Sequence, residues 1–276
     1  MASREEMSLS FGAAAGAYES GRPDYPREAV DWMLAPVREP GRALRVADVG
    51  AGTGKLTRTI VEAGAEVVAI DPDPHMLAAL REHVRGVPTF VGTAERMPLP
   101  DASVDAVLLG QAWHWVDPVA ASAEVGRALR DGGVLGLVWN IRDESDPWVA
   151  RLTAAMHGSH AEEMLAGDGP HVADPFEGLE ARTWTWTRPL TRTALLDMVA
   201  SRSYVITASD ADRAAILAAV GALFDERRSR TPPAPRSSTC RTSRTRIAAS
   251  VPDDAAARPD YARTAPTTCH GPLVSR

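Results

Sequence analysis

Carboxylates and glycines at regular spacing, and one histidine set between tryptophans, are the residues of this 276-residue chain best placed to do chemistry. Asp48-Val49-Gly50-Ala51-Gly52-Thr53-Gly54 ends an apolar run with three alternate glycines and then passes into Lys55-Leu56 and a helical pattern. Glycine lets the backbone turn tightly and approach a ligand without a Cβ in the way. The free N–H groups that open the following helix point at the same place. About twenty residues on, a second apolar run closes at Asp71, just before Pro72. A carboxylate at the tip of a second strand is placed to grip a ribose diol through two hydrogen bonds. Taken alone Asp71 would only open the turn Asp71–Pro74; coupled to the glycine loop, the ribose role is favoured. His114, between Trp113 and Trp115, is the candidate general base, since imidazole titrates near neutrality. It also reads as part of a pocket wall.

The glycine loop fits two common nucleotide motifs poorly. A P-loop needs glycine where Val49 stands and Ser or Thr where Leu56 stands. A dinucleotide fingerprint counted from Gly50 needs glycine at Lys55, the sole lysine. No metal-ligand cluster and no Ser/His/Asp or Cys/His arrangement is evident, and metal ligands are expected to be none.

The elements that must position these residues alternate. Apolar runs at Leu44–Val49, Glu66–Ile70, Thr89–Val91, Val104–Leu109 and Gly133–Trp139 predict strands. Helices are predicted over Leu56–Ala63, His75–Val84 and Val119–Leu129, with Gly and Pro at the joins. Strands that are apolar almost throughout, alternating with helices, predict an α/β, doubly wound, mostly parallel sheet. Beyond Asn140, Pro147–Ala166, Thr191–Ser201 and Asp210–Asp225 read as helical, the last capped by Ser209 or Asp210, and Thr183–Thr187 as a strand.

The Asp-x-Gly-x-Gly-x-Gly segment resembles the first motif of class I S-adenosylmethionine-dependent methyltransferases. Further segments agree in order: Asp71, Gly92 to Pro100, Gln111 to Trp115, and Arg130 to Gly133. The leader Gly21-Arg22-Pro23-Asp24-Tyr25-Pro26, with Tyr18 before it, and Ser201–Ile206 are similar to a trans-aconitate methyltransferase-like branch with a type 11 methyltransferase domain. The resemblance implies a Rossmann-like fold, methyl transfer, and S-adenosyl-L-methionine as cofactor. It implies cofactor contacts by Asp48, Gly50, Ala51, Gly52, Gly54, Asp71, Pro72, Met76, Ala94, Glu95 and Gln111. In it Asp48 orders the loop, and Ala94 and Glu95 border the adenine. Met76 is either close to the adenine or core filler. Trp113 and Trp115 would shape the acceptor pocket. Tyr18 and Arg22 either close the site or lie on a surface segment. The expected acceptor is a small molecule. A nicotinamide-dependent oxidoreductase, disfavoured by Lys55, and a non-catalytic cofactor-binding module are the alternatives.

The resemblance divides the chain into a leader (1–43), a cofactor-binding core (44–140), the remainder of the same domain (141–226) and a tail (227–276). Residues 1–226 carry a net charge of about −13 and the tail about +7. An acidic body is a poor match for nucleic acid, and the Arg, Pro, Ser, Thr and Ala of the tail read as disordered sequence. Apolar runs fall short of the ~20 residues of a membrane span, and the N-terminus has no secretory-signal core. Cys240 and Cys269 supply neither a disulfide framework nor a zinc site. A cytoplasmic location and no obligate protein partner are expected. The resembling branch closes with a strand containing Leu-Pro-Tyr-Val-Thr, which the tail lacks. A choice of synonymous codons for Arg236–Ile247, read two bases later, spells Leu-Val-Asp-Leu-Pro-Tyr-Val-Thr-His-Ala-His. The expectation is therefore a frameshifted tail, a missing final antiparallel strand and no packed structure beyond about Arg227.

Overall fold

Each apolar run of the core becomes a strand whose alternate residues feed opposite faces of one sheet. The computed structural model describes residues 23–156, 160–230, 238–250 and 273–274. A first helix, α1 (Arg27–Leu34), precedes β1 (Arg45–Val49), α2 (Lys55–Glu62), β2 (Glu66–Asp71), α3 (Pro74–His83) and β3 (Thr89–Val91). Then come β4 (Val104–Gly110), α4 (Pro118–Ala128) and β5 (Leu129–Arg142). Asp73 and Asp117 cap α3 and α4, each followed by Pro at the first helical position, and each carboxylate accepts N–H groups of the first turn.

Strands β3, β2, β1, β4 and β5 are parallel neighbours in that order. Ala106 and Leu108 of β4 pack with Val30, Met33, Leu56 and Ile60 of α1 and α2. Val107 and Leu109 pack on the other face with Ala121 and Val125 of α4. Helices therefore cover both faces, as doubly wound α/β folding requires. At the N-terminal rim Asp105 accepts Arg45 N–H at 2.7 Å and Arg42 and Arg130 at 2.8 and 2.9 Å, locking β4 to its neighbours. β5 is longer than its apolar run. It continues through Gly132-Gly133, where Gly132 has φ +72° and the pairing with β4 shifts register, a bulge in place of the expected break.

Beyond β5 the chain forms α5 (Pro147–Met156), α6 (His160–Ala166), β6 (Glu180–Leu190), α7 (Arg192–Ala200), α8 (Ser203–Ile206) and α9 (Asp210–Arg230). The single helical stretch expected over Pro147–Ala166 is two helices, with Gly158 in the interval. Ser209 caps α9, its hydroxyl accepting Asp212 N–H at 3.1 Å. α5, α7 and α9 enclose a separate apolar cluster around Leu152, Leu195, Val220 and Phe224.

The expectation of a missing final strand is corrected. β7 (Ser238–Ser250) runs antiparallel between β5 and β6, pairing Val134–Arg142 on one side and Glu180–Leu190 on the other. A two-residue strand, β8 (Leu273–Val274), adds at the edge. Regular structure thus extends past Arg227. Ladder hydrogen bonds are made by the main chain, so the slot between two strand edges accepts any extended segment that can donate and accept in register. Thr239, Thr242 and Thr245 suit such a segment.

Candidate functional site

The C-terminal ends of β1, β2 and β4 open into one cleft. Gly50 and Gly52 lie on one side, Asp71, Pro72 and Met76 on another, and Ala94 and Glu95 on a third. Gln111 and Trp115 complete the wall. Open α/β sheets bind ligands here because the strand order reverses between β1 and β4 and the crossovers part.

The loop holds the conformation its glycines predict. Gly50, Gly52 and Gly54 have φ of +69°, +55° and +91°. A Cβ on Gly50 would stand 2.6 Å from Ala112 Cβ, and one on Gly54 2.8 Å from Leu80 Cγ. Gly54 is thus what brings α2 against α3, and Gly50 what lets the loop pass the end of β4.

Two buried acids brace the loop. Asp48 is fully buried and accepts the Thr57 hydroxyl, tying β1 to α2 across the turn, while its Oδ1 has no hydrogen-bond partner. Burial pushes its carboxyl up to about 7, opposed by the Thr57 bond and assisted by the neighbouring Asp71. Asp71 accepts Gly52 N–H through Oδ2 at 2.8 Å and Asp73 N–H through Oδ1 at 2.9 Å. Burial raises it to about 6 against those two bonds. Each oxygen retains acceptor capacity for a ligand hydroxyl.

The third wall is held from behind. Glu95 accepts Asp117 N–H at 2.9 Å, joining the β3–β4 connection to the start of α4. Glu124 accepts Met97 N–H at 2.7 Å and pairs with Arg127, which also donates to the Leu99 carbonyl at 2.8 Å. On the fourth wall, Gln111 takes φ +56°, unusual for a residue with a side chain, and its Nε2 donates to the Asn140 carbonyl at 2.9 Å.

Of the residues expected at the cofactor, Gly50, Gly52, Asp71, Pro72, Met76, Ala94, Glu95 and Gln111 line the cleft. Ala51 faces an adjoining recess, and Asp48 and Gly54 stand behind the loop. Met76 is 4% exposed, so it serves as both wall and packing. Trp115 lines the cleft. Trp113 does not form the pocket wall expected of it: it is a core residue, 3% exposed, its indole donating to the His171 carbonyl at 2.8 Å. His114 Nδ1 accepts the indole N–H of buried Trp139 at 3.3 Å, and its ring lies against Trp115. A neutral imidazole accepting through Nδ1 carries its proton on Nε2. Tyr18 and Arg22 lie outside the described residues. Among the described residues no group of three His, Cys, Asp or Glu could hold a metal, and no helix is long and apolar enough to cross a membrane. Sequence reasoning missed Thr93, next to Ala94 on the wall, and Thr57, whose hydroxyl meets Asp48. It also missed Asn140, although its place at the end of the fifth apolar run was a usable signal.

Comparison with known proteins decides the family. Residues 47–137 match a family model described as a methyltransferase domain. An uncharacterised methyltransferase of Mycobacterium tuberculosis is 53% identical over 211 residues, covering 74% of this chain and 81% of the relative. The chain belongs to the methyltransferase family. A malonyl-[acyl-carrier protein] O-methyltransferase of Methylococcus capsulatus is 39% identical over 136 residues, 47% of this chain and 49% of the relative. A solved structure assigned as a type II methyltransferase from Anaeromyxobacter dehalogenans superposes with a TM-score of 0.58 at 26% identity, over 83% of this chain and 97% of that one. The fold is the Rossmann-like fold of these methyltransferases, and the glycine loop at residues 50–54 lies inside the matched segment.

Proposed function

We propose that the chain is an S-adenosylmethionine-dependent methyltransferase acting on a small-molecule acceptor. The observation that carries this reading is the convergence of the buried Asp71 carboxylate, the Gly50–Gly54 loop and the Ala94–Glu95 wall on one cleft. A ribose diol finds acceptors on Asp71, and a purine fits between Met76 and the Ala94–Glu95 segment. The unpartnered Asp48 Oδ1 stands directly behind the loop that would wrap the rest of the molecule. The residues present therefore fit this cofactor, which when bound supplies an electrophilic methyl group and leaves as a neutral thioether.

The protein must then align the acceptor and exclude water. Gln111, held in a strained backbone conformation, fixes the wall beside the loop. His114, held by Trp139 through Nδ1 and lying against Trp115, is the candidate general base for an acceptor that is not already ionised. An acceptor that arrives ionised needs no base. Tyr18 and Arg22 are proposed to close the site.

Titration calorimetry tests this reading. Binding of S-adenosylhomocysteine is expected and binding of NAD is not; binding of NAD alone refutes the assignment. A panel of acceptors with radiolabelled methyl donor then separates an enzyme from a cofactor-binding module, which would bind the donor and transfer nothing.

A further inference from the structure

The opposite end of the sheet carries a groove of its own. It lies at the N-terminal ends of β1 and β4, between Pro36 and Val37, which follow α1, and residues 130–133 of β5. Asp105 lines this groove, whereas Gln111, past the other end of β4, lines the main cleft. At about 3.3 Å per residue, the stretch from Asp105 to Gln111 sets the two sites about 20 Å apart. Residues 130–133 pair with neither β4 nor β7. Val104 faces Leu129 and Ala106 faces Val134, so they loop out opposite Asp105. Gly132, at φ +72°, has nothing within 4 Å of where a Cβ would stand, so this turn opens onto free space.

The inner wall of the groove presents donors. Asp105, its side chain 4% exposed, accepts Arg42 and Arg130 on Oδ1 at 2.8 and 2.9 Å, and Arg45 N–H on Oδ2 at 2.7 Å. Both of its oxygens are thus engaged behind the two guanidiniums. Among the described residues, Nη2 of neither arginine makes a hydrogen bond, and the two side chains stay 37% and 36% exposed. One arginine is enough to neutralise one buried carboxylate. Two on the same oxygen leave a positive charge in surplus. Glu39 accepts Arg42 Nε at 2.9 Å, but its own side chain is 67% exposed, and Asp131 is exposed as well, so water and salt screen both acids.

We propose that this groove is a second ligand site, for a phosphate group bound by the Nη2 atoms of Arg42 and Arg130. Guanidinium forks suit phosphate, which accepts from several directions at once, and a pair already fixed by Asp105 loses little freedom on binding. Pro36 and Val37 add an apolar surface on which the organic part of a phosphate ester can rest. The ligand joins the α1–β1 connection to the turn in β5 and so stabilises the fold by mass action. The site does not depend on which cofactor the main cleft holds.

Calorimetry and thermal melting with inorganic phosphate and phenyl phosphate, at constant ionic strength, test it. Saturable binding at one site per chain is expected, with a melting temperature that rises with ligand concentration. Tighter binding of phenyl phosphate assigns the ligand to the esters, and equal binding to free phosphate; either supports the site. Arg130→Gln is expected to weaken binding about tenfold or more, as loss of a charge-assisted bond implies. Arg130→Lys keeps a cation for Asp105 but not the fork. It is expected to melt as the wild type does without ligand and still bind several-fold more weakly, which separates lost binding from lost folding. Lys55→Gln, beside the glycine loop, is expected to leave binding within about twofold, because sites this far apart act independently. The proposal is overturned by the absence of saturable binding or by arginine variants that bind as the wild type does. Loss of binding in Lys55→Gln overturns it too, since the phosphate would then sit at the glycine loop.

Discussion

Asp71 Oδ2 accepts the backbone N–H of Gly52 at 2.8 Å, so the carboxylate at the tip of β2 also fixes the loop at the tip of β1. One side chain thereby sets the distance between the tip of β2 and the glycine turn. Burial holds this carboxyl near pH 6, and a ribose diol donating to it favours the ionised form. Affinity for S-adenosylhomocysteine is therefore expected to fall as pH drops through about 6. Asp71→Asn should weaken binding at pH 7.5 by about tenfold or more and flatten that profile. Calorimetry between pH 5 and 8 checks both, and a wild-type profile as flat as that of the variant defeats the explanation.

Asp48 gives a second pH dependence with the opposite consequence, for stability. Its carboxyl is near 7 when folded and near 3.8 when free, so between those values the folded state binds the extra proton. Stability contributed this way is full below the free value and is lost as pH rises through about 7. Asp48→Asn keeps an acceptor for the Thr57 hydroxyl without a buried charge. It is expected to melt above the wild type at pH 8, by an amount on the order of 1–3 kcal/mol, and to lose that advantage at pH 5. Thermal melts at the two pH values decide it; an advantage that does not change with pH counts against the buried charge.

His114 is expected to matter for stability before it matters for turnover. Removing its ring leaves the indole N–H of Trp139, a residue with no exposed surface, without the bond it now makes. His114→Ala should cost about 1–3 kcal/mol and leave the affinity for S-adenosylhomocysteine within about twofold. A residue acting purely as a base at the pocket surface would lower turnover and leave the melting temperature unchanged.

These relationships differ in how far the sequence discloses them. The parallel strands are legible because burial on both faces demands continuous apolar runs, as Val104–Leu109 supplies in the middle of the sheet. The glycine loop and Asp71 are legible because their roles depend on neighbours in the chain: a positive φ here, a strand tip there. Trp113 is not, because whether it lines a pocket or fills the core is decided by the His171 carbonyl, far along the chain. That Asn140 and Lys55 line one recess appears only when the end of β5 and the start of α2 are brought to the same side of the glycine loop. β7 escapes because its place is set by the main-chain edges of β5 and β6, which leave no side-chain pattern to read.

Glu124 is the support behind the wall formed by Ala94 and Glu95. It accepts Met97 N–H and holds Arg127 against the Leu99 carbonyl and Asp101, so Met97, Leu99 and Asp101 all hang on one partly buried pair. The paired guanidinium and the Met97 N–H hold its carboxyl below the usual range, against partial burial. Glu124→Ala is expected to destabilise the fold by about 1–3 kcal/mol and to weaken adenosine binding although it lies outside the cleft. Melting and 5′-methylthioadenosine titration test this together; loss of stability with unchanged affinity would separate the support from the site.

The tail poses the sharpest test of sequence against fold. β7 occupies an interior position between two strands, yet its sequence carries Arg241, Arg244 and Arg246. Interior strands of such sheets are ordinarily apolar, because neighbouring helices cover both faces. The frameshift reading supplies what the position asks for: read two bases on, the codons compatible with Arg236–Ile247 spell a segment containing Leu, Val, Leu, Tyr and Val. The same backbone ladder would then carry apolar side chains, each worth about 1.5–3 kcal/mol when fully buried. We therefore expect a chain carrying the shifted-frame sequence from Arg236 to melt well above this one, by several degrees or more for a domain of this size. Parallel expression and melting of the two chains measures the difference. Sequencing the gene checks the premise, since codons across 239–245 that do not spell that strand in the shifted frame end the frameshift reading. Equal melting temperatures would show instead that the main-chain pairing with Val134–Arg142 and Glu180–Leu190 holds this strand regardless of its side chains.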